Sequence, residues 1–419
     1  MKTKRTKFLG LFLAVLVFSF LNGCKKENLE TTTPNQQLGT EKTASLDQID
    51  EPKEMMTLSA IAMRFHQGGR EALAKEMLAM PNLATKNNWE MVWYAFNEKK
   101  SVQMMVVKHK LIPNTYAVVA KGQKEDNIYS LYQGINVFGK EPWPWVLPGQ
   151  AEPTIAQGAR ALANILFEDL RADAPSLNVT NGTLADVFNS ITNSWDRKQT
   201  LNVYSAGHSL GGANAVMMGA YLHTFLSQVG NVPDKMINLR IYDFAGPNLF
   251  RPDFVNYYNN LKKDTHINVK EYFYLIRNDV VCNFFPQNMD GLYNAFPWGW
   301  TMKPVIKSFI TGFNASLSAA SIEYGMVGSE ADGSRIWMTN KTDPKLYDLP
   351  EKIYFIDGYT KYYGYYHFTD NYMRTLDTPL VPEVKDGKII PLTRTTSQED
   401  LHFVPTEAQV QEFLQEMKK

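Results

Sequence analysis

The chain has 419 residues, a length that accommodates two average domains or one large enzyme domain. Its 43 basic residues balance its 43 acidic residues, so it lacks the basic surplus that is typical of nucleic-acid-binding proteins. Apolar residues make up 44% of the chain, as in globular proteins, and the two cysteines exclude both a disulfide-built scaffold and a four-cysteine zinc site.

The first 23 residues have the pattern of an export signal. Four basic residues among the first seven precede an uncharged apolar run at 8–20, which is too short to span a bilayer comfortably. The sequence LNGC follows at 21–24 and resembles the lipobox of bacterial lipoproteins. This resemblance implies cleavage before Cys24, lipidation of that cysteine and a lipid-anchored location in the bacterial cell envelope. A plain signal peptide that happens to contain a cysteine, and a membrane-spanning helix, are the alternatives.

Residues 24–53 are polar and rich in Thr, Gln, Glu and Asn, which predicts a flexible tether between membrane and domain. From residue 54 onward, no shift in composition marks a second domain, and no internal repeat occurs. The sequence therefore predicts one domain at 54–419. Removal of the leader takes away four basic residues and no acidic one, which makes the chain mildly acidic and leaves Cys282 as its free thiol.

Secondary structure is predicted from the spacing of apolar residues, beginning with one helix at 55–80. Three strand-like stretches separated by turn-prone residues then predict an antiparallel meander at 89–97, 102–108 and 115–121. Further along, helices are predicted at 155–170, 184–195, 210–226 and 254–261, and strands at 201–205, 237–244 and 272–276. This alternation predicts an α/β fold with a largely parallel sheet and helices on both of its faces.

The sharpest chemical signal is the sequence GHSLGGA at 207–213, which contains the pattern Gly-x-Ser-x-Gly. It lies between a predicted strand and a predicted helix, which is the context of a nucleophile elbow. A turn this tight leaves no space for side chains at Gly207 and Gly211. Ser209 is then presented at its tip, beside a helix N-terminus whose free N–H groups favour a developing oxyanion. A glycine-rich helix start with an inert serine is the alternative.

With the strand before it, this motif resembles the class 3, or fungal-type, triacylglycerol lipases of the α/β-hydrolase fold. Three further stretches are similar to family segments in the same order: AVVAKGQ at 117–123, YDFAGP at 242–247 and LIRNDVV at 275–281. The resemblance implies a serine hydrolase that cleaves carboxylic esters, with lipid acylglycerols as the first candidates. Phospholipids and carbohydrate esters are alternative substrates, and a non-catalytic surface-binding lipoprotein is the alternative from another class.

A serine nucleophile needs an imidazole that is itself oriented by a carboxylate, and the fold presents them in the chain order Ser, Asp, His. Asp279 ends a predicted strand, as the family's acid does, and its rival Asp243 lies inside an apolar strand. Of the two histidines beyond Asp279, His367 is followed by an aromatic residue as in the family, and His402 is its rival. The resemblance therefore implies a triad of Ser209, Asp279 and His367.

The oxyanion hole requires two N–H donors, which the resemblance assigns to Leu210 and Gln123. At 121–123, Lys-Gly-Gln replaces the family's Arg-Gly-Thr, so the side-chain hydroxyl at this position is absent.

Two stretches are rich in aromatic residues: 141–148, roughly where the family carries its lid, and 284–313, within an insertion at about 284–320 between the proposed acid and base. Such stretches suit acyl chains or a lipid surface if they are exposed, and form ordinary core if they are buried.

No phosphate loop, metal-ligand cluster or dinucleotide motif occurs, so no metal or cofactor is expected. The expected partners are an ester substrate with an acyl chain and, through Cys24, a membrane. Neither nucleic acid nor an obligate protein partner is inferred.

Overall fold

The computed structural model describes residues 49–64, 70–98, 100–122, 138–279, 281–283, 293, 296–341, 349, 351–352, 362, 365–385 and 387–390. Outside these residues lie the predicted export signal with Cys24, most of the predicted tether, Gln123 and His402. The first helix begins at Glu51, slightly before the predicted domain start at residue 54.

The helices of the described residues are, in chain order, α1 (Glu51–Met63), α2 (Arg70–Leu78), α3 (Gln157–Asn164), α4 (Leu184–Ser194), α5 (Leu210–Leu226), α6 (Pro252–Leu261), α7 (Met302–Ala319) and α8 (Thr369–Thr375). The strands are β1 (Trp89–Asn97), β2 (Val102–His109), β3 (Thr115–Ala120), β4 (Lys140–Pro142), β5 (Thr154–Ala156), β6 (Ala172–Ala174), β7 (Val179–Gly182), β8 (Leu201–His208), β9 (Ile237–Phe244), β10 (Ile267–Ile276), β11 (Arg335–Met338), β12 (Glu383–Lys385) and β13 (Lys388–Ile390). A π-helical turn at Ile165–Asp169 continues α3.

A seven-stranded sheet in the order β1-β2-β3-β8-β9-β10-β11 forms the centre of the fold. The pairs β1–β2 and β2–β3 are antiparallel, whereas every pair from β3–β8 to β10–β11 is parallel. The predicted α/β-hydrolase architecture, an antiparallel N-terminal meander continued by a parallel sheet, is therefore confirmed. Parallel strands are usually covered on both faces, and every residue of β8 is buried.

Neighbouring residues of β8 show how the two faces are covered. The Tyr204 hydroxyl lies 3.0 Å from the Glu51 carboxylate of α1, and the Ser205 hydroxyl donates to the Ala215 carbonyl of α5 at 2.7 Å. Because successive side chains of a strand point to opposite faces, α1 and α5 lie on opposite sides of the sheet. The sheet is thereby held between them, and α5 follows directly from the carboxyl end of β8.

The single helix predicted at 55–80 is wrong, since α1 and α2 are separate helices. The sequence between them contains Gly68-Gly69, and glycine is a poor helix former. The insertion between the proposed acid and base contains α7, which sequence periodicity did not single out. None of the helices in the described part of the chain combines the length and apolar content needed to cross a membrane.

Candidate active site

The Gly-x-Ser-x-Gly motif forms a tight turn between β8 and α5. Ser209 has φ 60° and ψ −132°, a backbone conformation that a non-glycine residue adopts only when its surroundings impose it. A Cβ atom on Gly207 would overlap the Gly211 carbonyl, and one on Gly211 would lie 2.6 Å from the carbonyl oxygen of Ala120. Both glycines are therefore required by close backbone approach, as the sequence predicts.

Ser209, His367 and Asp279 are joined by consecutive hydrogen bonds. The Ser209 hydroxyl lies 2.9 Å from His367 Nε2, and His367 Nδ1 lies 2.9 Å and 3.0 Å from the two Asp279 carboxylate oxygens. Because the ionised carboxylate only accepts, Nδ1 carries the proton and Nε2 is left to accept from the serine. The described residues thus bring together the three side chains assigned by chain order, whereas the rival His402 lies outside them.

The Asp279 carboxylate is fully buried and receives hydrogen bonds from outside the triad. The Tyr372 hydroxyl donates to its Oδ2 at 2.8 Å, and the Val281 N–H donates to its Oδ1 at 2.9 Å. Tyr372 also accepts from the Ile276 N–H at 3.1 Å, so its hydroxyl joins the acid to the end of β10. A buried carboxylate needs such partners, because its desolvation is otherwise too costly. Sequence analysis noted that an aromatic residue follows His367 but did not predict this bond.

His208, which precedes the nucleophile, fixes the backbone of the proposed base. Its Nε2 lies 2.8 Å from the His367 carbonyl oxygen, an atom that only accepts, so Nε2 carries the proton. Burial lowers the pKa of His208 well below 6.5, which keeps this ring neutral and its pattern of donors fixed. Sequence analysis assigns no role to His208, so this contact was not predicted.

One of the two predicted oxyanion donors lies among the described residues. Leu210 begins α5, so its N–H is one of the donors that the helix does not use, and it adjoins the Ser209 side chain. The second predicted donor, Gln123, lies outside the described residues. Gly122, immediately before it, donates its N–H to the sulfur of Met63 at 3.1 Å and would meet the His208 carbonyl if it carried a Cβ atom.

Asp243, the rival acid, supports the backbone next to the elbow. It accepts the N–H of Gly246 at 2.7 Å, and a Cβ atom on Gly212 or Gly246 would overlap its carboxylate. Burial raises the pKa of Asp243 to about 7. The carboxylate that contacts the imidazole of His367 is that of Asp279.

The first aromatic stretch, at 141–148, contributes to the core. Trp143 is fully buried, with ring centroids 4.8 Å from Trp145 and 5.2 Å from Phe254. Trp145 in turn packs 5.0 Å from Phe167 and lies under the guanidinium of Arg160. Of the two interpretations of this stretch, packing as ordinary core is the one that the structure supports.

The second aromatic stretch is divided between core and solvent. Phe296 and Trp298 are buried, whereas 77% of Trp300 is exposed.

Among the described residues, no group of three or more histidine, cysteine, aspartate or glutamate side chains is arranged to hold a metal ion.

Comparison with known proteins relates this arrangement to lipases. Residues 149–289 match the family model described as Lipase (class 3), a span that contains the elbow and Asp279. No curated protein sequence matches the chain. Among solved structures, M37 lipase is similar at a TM-score of 0.57 and 17% identity, over 78% of this chain and 93% of that one, a likeness that shows the fold.

Two fungal enzymes are similar at lower TM-scores. The native Rhizomucor miehei lipase propeptide complex has a TM-score of 0.36 and 18% identity, over 62% of this chain and 72% of that one. Lipase II from Rhizopus niveus has a TM-score of 0.38 and 16% identity, over 57% of this chain and 76% of that one.

Proposed function

We propose that this carboxylic ester hydrolase acts on lipid esters, acylglycerols in the first place, by forming an acyl-enzyme on Ser209. The observation that carries the proposal is the unbroken series of hydrogen bonds at 2.9 Å from the Ser209 hydroxyl to His367 and from His367 to Asp279. Serine is a weak nucleophile unless a neighbouring base accepts its proton, and this arrangement supplies such a base with its orienting carboxylate.

In the acylation step, Ser209 Oγ attacks the ester carbonyl while its proton passes to His367 Nε2. Asp279 stabilises the imidazolium that forms, because its carboxylate accepts a hydrogen bond from Nδ1–H and is not itself protonated. We assign the two hydrogen bonds to the tetrahedral oxyanion to the N–H groups of Leu210 and, from the family resemblance, Gln123. Collapse of this intermediate breaks the ester bond, and His367 returns the proton to the departing alcohol.

In the deacylation step, water replaces the alcohol. His367 Nε2 accepts a proton from this water, whose oxygen attacks the acyl carbonyl and forms a second tetrahedral intermediate. Expulsion of Ser209 Oγ, with the proton returned from His367, releases a carboxylic acid and restores the free serine. The lipid nature of the acyl group is inferred from the class 3 lipase match over residues 149–289.

The export signal leads us to propose that the enzyme is anchored by lipid on Cys24 in a bacterial cell envelope. The basic start, the short apolar run and the LNGC sequence support this location. We expect [3H]palmitate to label the wild type and not Cys24→Ser, which should appear in the soluble fraction. Unlabelled wild type would contradict the lipoprotein assignment and leave the hydrolase assignment unaffected.

Hydrolysis of p-nitrophenyl esters of increasing acyl length tests the proposed substrate class. We expect turnover to persist or rise from butyrate to the longer chains and to fall by ~10³-fold or more in Ser209→Ala. His367→Ala should lose activity comparably, whereas His402→Ala serves as the matched control and should retain it. Folded wild type that cleaves only the acetyl ester would contradict the lipid assignment, and activity lost in His402→Ala alone would contradict that of the base.

A further inference from the structure

The end of the aromatic insertion carries the most exposed large apolar side chain of the described residues. Trp300 is 77% exposed, compared with 42% for Leu111 and Val305 and 36% for Ile390. It lies two residues before α7, whose own residue Val305 is also exposed. The exposed indole is a large amphipathic ring of the kind enriched at interfaces, and it is available to an external partner.

Helix α7 is fixed to the body of the protein on one side only. Ile306, Ile310 and Leu317 of this helix are buried in the hydrophobic core. Lys303 and Lys307, four residues apart and therefore on one face of the helix, are exposed, and Val305 is exposed on a different face. The Lys303 N–H donates to the carbonyl of Gly299, the residue before Trp300, at 2.9 Å. We call the exposed set of Trp300, Lys303 and Lys307 the Trp300 surface.

Both charged residues of the Trp300 surface are lysines. Residues 291–322 contain two lysines and no aspartate or glutamate, in a chain that has 43 acidic residues. Among the described residues, neither Lys303 nor Lys307 has a carboxylate within ion-pair distance, whereas the exposed Lys75 and Lys341 each have one. An exposed tryptophan flanked by unpaired lysines has the chemistry of a membrane-interface contact, with the ring at headgroup depth and the ammonium groups on anionic headgroups.

The same segment is packed against the residues that flank the proposed triad. The Phe296 ring lies 6.1 Å from that of Tyr366, the residue immediately before His367. The Tyr366 hydroxyl in turn accepts from Asn278, the residue immediately before Asp279, at 3.3 Å. The stretch that carries Trp300 is therefore connected, through Phe296 and Tyr366, to residues adjacent in sequence to both the base and the acid.

We propose that the Trp300 surface docks the enzyme on an anionic phospholipid bilayer, so that the active site takes its ester from that membrane. The choice of substrate source rests on the proposed lipid hydrolase function, whereas docking itself requires no turnover. A neutral bilayer accommodates the tryptophan ring but offers the two lysines no counter-charge. The proposed binding partner is therefore an anionic bilayer.

Quenching of tryptophan fluorescence by brominated lipid tests the contact directly. The full chain is mixed with phosphatidylglycerol or phosphatidylcholine vesicles that carry bromine on their acyl chains, and its emission is compared with that in unbrominated vesicles. Trp300→Phe removes the proposed contact, and Trp337→Phe is the matched control, because Trp337 is partly exposed and stacks on Arg277 elsewhere. Since every variant keeps the same N-terminus, any contribution of the leader or anchor is constant.

We expect the quenched fraction in phosphatidylglycerol to fall at least twofold in Trp300→Phe and to stay unchanged in Trp337→Phe. Lys303→Gln with Lys307→Gln should weaken quenching in phosphatidylglycerol, whereas Lys198→Gln with Lys388→Gln, two exposed lysines elsewhere, should not. Quenching that is equal in Trp300→Phe and wild type, or equal in the two lipids, overturns the proposal. Turnover of p-nitrophenyl butyrate is measured on the same samples: its absence in wild type counts against the hydrolase function alone.

Discussion

Two buried side chains outside the triad hold its members in position. Tyr372 donates to the Asp279 carboxylate at 2.8 Å, and His208 donates to the His367 carbonyl at 2.8 Å. Neither of these two contacts reaches Ser209, so both residues act through the groups they orient. A hydrogen bond to a charged group such as the Asp279 carboxylate typically contributes about 1.5–3 kcal/mol, a substantial fraction of the roughly 5–15 kcal/mol net stability of a domain.

Removal of the Tyr372 hydroxyl tests this arrangement. In Tyr372→Phe, the Asp279 carboxylate and the Ile276 N–H each lose a buried partner, so we expect kcat to fall ~10-fold at an unchanged KM. The free energy of unfolding should fall by about 1–3 kcal/mol. Ester hydrolysis and urea denaturation measure the two effects. Tyr116→Phe, at a buried position of β3, is the control, and equal kcat values for the two variants would contradict the role of Tyr372.

The residues that the sequence identifies are those that belong to local patterns. Ser209 is recognised from its flanking glycines, and Asp279 from its place after a strand, because the chemistry of a turn or a strand end is encoded within a few residues. The partners of Tyr372 and His208 are 93 and 159 residues away in the chain. Such contacts depend on how β8, β10 and α8 pack, which no single segment encodes, and so they could not be predicted.

At the scale of single elements, close packing of the start of α5 against the end of β3 determines the geometry of the elbow. A Cβ atom on Gly211 would lie 2.6 Å from the Ala120 oxygen and 2.9 Å from the Gly122 nitrogen. In Gly211→Ala, the helix start must therefore move and carry the Leu210 N–H with it, so we expect kcat/KM to fall ~100-fold. Gly230→Ala, where nothing lies within 4 Å, should match wild type. Kinetics of a soluble ester measure both, and an active Gly211→Ala enzyme would refute the close packing.

Helix α1 carries a carboxylate whose burial costs stability at high pH. Glu54 accepts from the Trp89 indole at 2.6 Å, and burial raises its pKa from 4.5 to about 7. The folded state therefore binds this proton more tightly than the unfolded state, and the associated stability is lost as pH rises from 4.5 through 7. Glu54→Gln removes that loss while keeping an acceptor for Trp89.

We therefore expect Glu54→Gln to exceed wild type in free energy of unfolding by about 3 kcal/mol at pH 8 and to differ little from it at pH 4. Urea denaturation at the two pH values measures this difference. Glu71→Gln, at an exposed position of α2, is the control and should show no such dependence. A gain of the same size at both pH values would mean that the ionisation of Glu54 is not its cause.

The elements that the sequence predicts best are those with a strong period and clear ends. The bounds of β1, β9 and α5 agree with prediction, because buried strands and the helix after the elbow have continuous apolar patterns. The pairs β4–β5 and β6–β7 involve strands of three or four residues, too short for a period to be visible. The sequence predicts one helix in place of α1 and α2 because apolar residues keep helical spacing across both. Gly68-Gly69 lies between the two helices.

At the scale of the whole molecule, the N-terminal helix α1 contacts the C-terminal part of the described chain, including the helix α8 that follows His367. Arg64, at the end of α1, donates to the Asp370 carboxylate of α8 at 2.6 Å and to the Val381 carbonyl at 3.1 Å. The paired residues are 306 positions apart in sequence. Because α8 directly follows the segment that holds His367, this largely buried ion pair ties the N-terminal helix to the element next to the proposed base.

Loss of the Arg64 cation should therefore affect stability and activity together. Arg64→Met leaves the Asp370 carboxylate buried without a counter-charge, so we expect the free energy of unfolding to fall by about 3–5 kcal/mol and kcat to fall with it. Lys53→Met, which removes the exposed pair with Asp50 on the same helix, should cost at most about 1 kcal/mol. Denaturation and ester turnover measure both variants, and equal costs for the two would contradict the role of the buried pair.

The central claim, that Ser209 is the nucleophile of a working triad, is tested most directly by covalent labelling. A fluorophosphonate probe reacts with activated serines, and peptide mass spectrometry of the labelled full chain locates the adduct. We predict one adduct, on Ser209, that disappears in Ser209→Ala and forms far more slowly in His367→Ala. Folded wild-type protein that stays unlabelled, or that carries the adduct on another serine, would contradict the assignment.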